Sequence, residues 1–222
     1  MTFVIAIDGL AGAGKSTLGE AIARDLGCGY VDTGLMYRAV TLAALQKDIA
    51  PSDELALGQI ADQLDFRLDT ATNSLYIAGA QPVPELHSAA VDRAISEVSA
   101  HPAVRSALTA RQRQLAAGQC VVMVGRDIGT VVFPRAPVKL WVTASEETRA
   151  ARRAAERREG TETEQRGVAY DLAVRDRLDS GRAVAPARRP ADAVVIDTDR
   201  LGPAAALAES LEAIGSARAP KR

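Results

Sequence analysis

The segment Asp8-Gly9-Leu10-Ala11-Gly12-Ala13-Gly14-Lys15-Ser16-Thr17 follows directly on the apolar run Phe3-Val4-Ile5-Ala6-Ile7. The spacing Gly9-x4-Gly14-Lys15-Ser16 is that of a phosphate-binding loop, in which backbone N–H groups and the N-terminus of the next helix cradle a nucleotide's phosphates. Glycine suits it because a Cβ would block close backbone approach and positive φ. The flanks agree with this reading. Residues 3–7 read as a buried parallel strand, and Leu18, Ala21, Ile22 and Leu26 recur at helical spacing up to Gly27, a helix stop. Gly9, Leu10, Ala11, Gly12, Ala13, Gly14, Lys15, Ser16 and Thr17 are therefore expected to bind the phosphates of a nucleotide. Lys15 would lie on the β- and γ-phosphates, and the Ser16 or Thr17 hydroxyl would face Mg²⁺.

Further apolar runs at 29–31, 120–124, 138–142 and 193–197 alternate with helical patterns. The alternation predicts an α/β fold, a doubly wound five-stranded parallel sheet with the nucleotide at the carboxyl ends of its strands. A last helix is expected from Pro203 through Leu207, Leu211 and Ile214, with fraying from Ser216.

Two segments break the alternation. Phe66-Arg67-Leu68 and Leu75-Tyr76-Ile77, separated by Thr70-Ala71-Thr72-Asn73, read as a small antiparallel insertion. Residues 146–189 hold 11 arginines and 9 acidic residues with few large apolar side chains. They read either as a solvated helical pair laced with ion pairs or as a mobile lid whose arginines meet phosphate.

Composition bounds the partners. The 222 residues are 47% hydrophobic, enough to bury a core, and the net charge of −1 gives no overall field toward nucleic acid or anionic membrane. The apolar run near the start ends at Asp8, no stretch approaches a membrane span, and a cytoplasmic protein is expected. Cys28 and Cys120 lack the spacing of a zinc set and read as small buried apolar residues, while His87 and His101 read as structural or surface groups. Of the 27 basic residues 23 are arginine, whose planar fork suits phosphate, although GC-rich coding produces the same bias.

Downstream of the loop, no Asn-Lys-x-Asp guanine-reading motif occurs, and the strand 120–124 runs into Gly125-Arg126-Asp127 instead of an acidic pair. An arginine there points toward a small-molecule kinase whose second substrate carries its own phosphate. The chain resembles the bacterial cytidylate (CMP) kinases along nearly its whole length, in "DGLAGAGKST", "VDTGLMYRAV" (31–40), "ISEVSAHPAVR" (95–105), "VGRDIGTVVFPRAPVKLWVTAS" (124–145) and "RDRLDSGRAVAP" (175–186). The hairpin insertion adds to the match.

The resemblance implies phosphoryl transfer from ATP, with Mg²⁺, to CMP and dCMP. It implies a core of 1–37, 103–145 and 190–222, a monophosphate-binding insertion at 38–102 and a lid at 146–189. Thr33, Tyr37 and Arg38 would hold the monophosphate; Arg126 and Arg182 would be further phosphate-binding arginines, and Arg175 would meet the transferred group. Lys15, Arg126, Arg175 and Arg182 are thus the catalytic candidates. Asp179 would contact the ribose, and Ser96, Arg105 and Asp127 the base. Cytosine shows an N4 amino donor beside N3 and O2 acceptors, which a carboxylate and a guanidinium complement. Ser16, Thr33 and Pro186-Ala187 depart from commoner Gly, Ser and Pro-Leu, without removing a charge or a required glycine. A monomer that binds neither nucleic acid nor membrane is expected. The rival readings are a kinase acting on UMP, AMP or a metabolite such as shikimate, and a nucleotide-binding regulator without transferase activity.

Overall fold

The computed structural model describes residues 2–69, 72–157 and 161–218. Strand β1 (Phe3–Asp8) leads through the glycine-rich loop into helix α1 (Lys15–Leu26), which Gly27 ends in the left-handed conformation at φ 62°. β2 (Gly29–Asp32) and α2 (Thr33–Gln46) follow, then α3 (Glu54–Gln63), the hairpin β3 (Phe66–Asp69) and β4 (Ser74–Ile77), a 3-10 turn at Pro84–His87, α4 (Ala89–Val98) and α5 (Pro102–Leu115). β5 (Cys120–Gly125) enters a wide turn at Ile128–Val132; β6 (Val138–Thr143), α6 (Glu146–Arg157), α7 (Glu162–Gly181), β7 (Val194–Asp197) and α8 (Pro203–Arg218) complete the chain.

The five parallel strands form one sheet in the order β2-β5-β1-β6-β7, and β3 and β4 pair antiparallel. Both expectations hold. Part of the turn between β3 and β4, Thr70 and Ala71, lies outside the described residues. The last helix continues past the expected fraying point at Ser216, to Arg218.

Side chains alternate across a strand, so the unbroken apolar run of β1 feeds two cores. Val4 and Ala6 face Val31, Val121 and Met123, with Met36 and Val40 of α2, Leu57 of α3 and Leu108 of α5 above them. Ile5 and Ile7 face Val122, Val124, Leu140 and Val142, covered by Leu18 and Ile22 of α1 and Ile214 of α8. A sheet buried on both faces explains why these strands read as continuous apolar runs. The register pairs Asp8 with Gly125 on one side and Trp141 on the other, so the strands' carboxyl ends open onto one rim.

One expectation is corrected. Cys28 and Cys120 are joined by a disulfide, their Cα atoms 4.9 Å apart. Each directly precedes or begins a strand of the adjacent pair β2 and β5, whose register sets Gly29 against Val121. The pairing of β2 with β5, 92 positions apart, brings the thiols together, and local sequence carries no trace of it.

Candidate active site

The glycine-rich loop needs its glycines for two separate reasons. Gly9 sits at φ 151°, where a Cβ would lie 2.1 Å from the Val142 carbonyl oxygen of the neighbouring strand. Gly12, at φ 72°, lies against the backbone of Arg149, whose carbonyl oxygen would be 2.9 Å from an added Cβ. The first glycine lets the loop leave the sheet and the second lets α6 pack onto it. Lys15 opens α1 and turns its Nζ back to the Leu10 carbonyl at 2.6 Å. Burial, followed by the guanidiniums of Arg126 and Arg175, pushes its ammonium down to about 7, while the Asp32 carboxylate opposes the shift. A lysine held so close to neutrality answers strongly to any incoming anion.

At the end of β1, Asp8 is almost fully buried and its two carboxylate oxygens accept from the amides of Ile128 and Gly129, each at 2.7 Å. Burial pushes this carboxyl up to about 6 against the pull of those two N–H groups. The bonds tie the turn after β5 to the loop, and Arg126 reinforces the tie by donating to the Gly9 carbonyl at 2.9 Å. Residues 125–129 are therefore held from β1. Neither tie was anticipated from sequence, although Asp8 stands within the loop motif itself.

A cleft of about 1520 Å³ runs from this loop across the rim. At its far end Arg105 of α5 pairs with Asp127, both buried, and a second Arg105 nitrogen donates to the Ser99 carbonyl at 3.1 Å. The guanidinium stands 5.3 Å from the centroid of the Tyr37 ring, a cation–π contact. Ser96 lies beside them on α4, 9% exposed. Between this end and the loop, Asp179 of α7 gathers three arginines: Arg126 at 3.2 Å, Arg182 at 3.8 Å and Arg175 at 4.0 Å. The Nε atoms of Arg175 and Arg182 are buried without a hydrogen-bond partner among the described residues. Such donors cost free energy unless something arrives to accept from them. Burial and the neighbouring Arg126 push the Arg175 guanidinium down to about 10.

Ala11, Gly12, Gly14–Thr17, Tyr37, Arg38, Ser96, Arg105, Arg126, Asp127, Arg175, Asp179 and Arg182 line one cleft, whereas Gly9 and Leu10 do not line it and Ala13 is buried in the core beneath the loop. Thr33 is nearby, but its hydroxyl is committed to the Val124 carbonyl at 2.8 Å. Arg38 is buried, with one nitrogen donating to the Leu86 carbonyl at 2.7 Å and the other to Asp92 at 2.6 Å. The charged segment divides in two. Arg166 is exposed and paired with Glu162 one turn away, as in a solvated helix. Arg149, Arg152, Arg153 and Arg175 turn inward instead.

Arg149 pairs with Asp176 and donates to the Ala11 carbonyl at 3.2 Å, while Asp176 accepts from the Ala11 amide at 3.4 Å. Arg152 donates to the hydroxyl and carbonyl of Thr198 at 2.9 and 3.0 Å. The helix pair α6–α7 is thereby seated on the glycine-rich loop. Sequence reasoning missed Asp92, Arg149 and Asp176, because each is one charge among many at helical spacing. It also missed Asp32, which caps α2 through the Gly34 amide and accepts from the Ser16 hydroxyl at 2.8 Å. Its position just after a strand, facing the phosphate loop, was the available signal.

The comparisons with known proteins agree with this geometry. The family model for cytidylate kinase matches residues 5–216. The cytidylate kinase of Mycobacterium leprae (strain Br4923) is 43% identical over 214 residues, covering 95% of this chain and 95% of its own length. The cytidylate kinase of Caldanaerobacter subterraneus subsp. tengcongensis is 44% identical over 202 residues, covering 90% of this chain and 89% of its own. A gluconokinase structure from Sinorhizobium meliloti 1021 superposes with a TM-score of 0.51 at 14% identity, over 97% of this chain and 93% of that one, a likeness of fold alone. With the loop, the arginine-lined cleft and a family match across nearly the whole chain, the protein belongs to the cytidylate kinase family.

Proposed function

We propose that the protein transfers the γ-phosphate of ATP to CMP, and also to dCMP, releasing ADP and the diphosphate. The observation that carries the base assignment is the buried Arg105–Asp127 pair under Tyr37, because cytosine offers the donor and acceptors that a carboxylate and a guanidinium can share. An oxygen of the CMP phosphate attacks the γ-phosphorus in line, the bond from that phosphorus to the bridging oxygen breaks, and ADP leaves with the electron pair. No covalent enzyme intermediate is required. Catalysis is then positioning and charge stabilisation.

In this reading residues 9–17 hold the ATP phosphates, with Lys15 on the β- and γ-oxygens and charged by contact with them. Arg38, Arg126 and Arg182 hold the CMP phosphate, Arg175 meets the transferred group, Asp179 orients the ribose, and Ser96, Arg105 and Asp127 read the base. Tyr37 covers the base-reading pair, and Thr33 contributes through the backbone it fixes. The Ser16 hydroxyl and the Asp32 carboxylate, 2.8 Å apart, form a pair of hard oxygen ligands that suits Mg²⁺. When bound there, Mg²⁺ neutralises charge on the phosphate oxygens. Thr17, exposed on the next position of α1, is the alternative hydroxyl.

The division into a core (1–37, 103–145, 190–222), a monophosphate-binding part (38–102) and a lid (146–189) belongs to the same proposal, as do a monomeric state and a cytoplasmic location. Among the described residues no helix is long and apolar enough to cross a membrane.

The test is ADP release, followed by a coupled assay, with CMP, dCMP, UMP and AMP as acceptors. Turnover with the two cytosine nucleotides well above UMP and AMP is expected. Preference for UMP or AMP would overturn the base assignment. No ADP with any acceptor would leave a nucleotide-binding regulator.

A further inference from the structure

Asp92, in the first turn of α4, is a carboxylate that the proposed chemistry does not use. It is side by side with the machinery nonetheless. Its Oδ1 takes Arg38 of α2 at 2.6 Å, its Oδ2 takes Arg153 of α6 at 2.8 Å, and Arg175 of α7 stands 3.8 Å away. Its side chain is 9% exposed and lines the same cleft as those three arginines. Guanidiniums from three separate helices converge on one buried anion.

We infer that Asp92 is a built-in counter-anion for the phosphate-binding arginines, occupying their charge when the monophosphate is absent and competing with that phosphate when it is present. The inference rests on the reading of Arg38 and Arg175 as phosphate ligands. The need for such a group follows from charge. Arg38, Arg126, Arg153, Arg175 and Arg182 crowd one cleft, and without internal anions they would repel one another and retain any product carrying more phosphate than the substrate. Asp179 balances the end nearer Arg126 and Arg182. Asp92 balances the end nearer Arg38 and joins the substrate-side helix α4 to α6. A phosphate reaching Arg38 must share that guanidinium with the Asp92 carboxylate, so each departure of the nucleotide is assisted by an anion already in place. Product release limits turnover in many such enzymes.

The experiment compares the binding of CMP and of cytidine to the wild type, Asp92→Asn, Asp92→Ser and Asp92→Glu by calorimetry. Removing the carboxylate should tighten CMP roughly ten-fold, the order of effect of one unit charge acting across a guanidinium, and leave cytidine unchanged. Asp92→Glu, which keeps the charge, should stay near wild type. Asp92→Ser gives the same reading if the Asn variant fails to fold. CMP binding that is unchanged or weaker in the folded neutral variants, or a gain shared equally by cytidine, would overturn the inference. A wild type that binds CMP and cytidine equally would instead overturn the phosphate-site reading on which it rests.

Discussion

Lys15 and Asp8 carry opposite perturbations within one short stretch. The Lys15 ammonium is pushed down to about 7, chiefly by burial and then by Arg126, and its proposed role is to meet phosphate. Lys15→Ala should keep the fold, read by circular dichroism, and lower kcat by roughly 10²–10³, the scale of one lost charge-stabilising donor. Retained activity would contradict that role. Asp8, pushed up to about 6, is a carboxylate above that pH and takes a proton below it. The protonated form turns one accepting oxygen into a donor facing an amide N–H, which loosens the tie to residues 128 and 129 that sets Asp127. The kcat/KM for CMP should therefore fall as pH drops through about 6, with cytosine selectivity falling too, and Asp8→Asn should remove this acid limb at a uniformly low rate. A flat wild-type profile from pH 5 to 8 would contradict the positioning role. Most residues of the candidate site could be proposed from sequence because glycine, lysine and arginine at the spacing of a phosphate loop and its partners are poorly suited to mere packing. Asp8, Asp32, Asp92 and Asp176 were not, since an acidic residue at a strand end or on a helix has many ordinary uses and only the fold shows what it faces.

At the level of elements, the inner strands β1, β5 and β6 could be read because burial on both faces writes an unbroken apolar run, and the hairpin because turn residues separate its two short runs. The helix pair α6–α7 could not be resolved between solvated and functional, because the two readings share one composition. The structure divides it by residue: Arg166 faces water, and Arg149 with Asp176 grips the loop at Ala11. Asp176→Asn leaves the Arg149 charge buried with a weaker partner, a change that is strongly destabilising locally. Hydrogen exchange in α6 and α7 should accelerate by about ten-fold or more in the nucleotide-free protein, and the KM for ATP should rise. Unchanged exchange would show that this ion pair does not hold the helices down.

Across the whole molecule, the Cys28–Cys120 link closes a loop of 92 positions and ties the start of β2 to the start of β5, on the sheet's opposite end from the rim. Chain-entropy arguments put the stabilisation from closing a loop of that length at about 4–5 kcal/mol. Cys120→Ser, or treatment with a reductant, should lower the melting temperature by several degrees and leave the kcat/KM for CMP near wild type, since the proposed catalytic residues gather at the other end of the strands. An unchanged melting temperature would contradict the link's contribution. The glycine-rich loop and the Arg105–Asp127 pair line one cleft, and the proposed function requires that pair to read cytosine. UMP would set its O4 acceptor against the Asp127 carboxylate and its N3–H against Arg105, and sites that lose such partners discriminate by roughly 10⁴-fold or more. Asp127→Asn can flip its amide to present either a donor or an acceptor. The decisive measurement is kcat/KM for CMP and UMP in the wild type and Asp127→Asn: a strong wild-type preference for CMP that the variant narrows by losing CMP activity is expected, and an equal loss on both substrates would contradict base reading by Asp127.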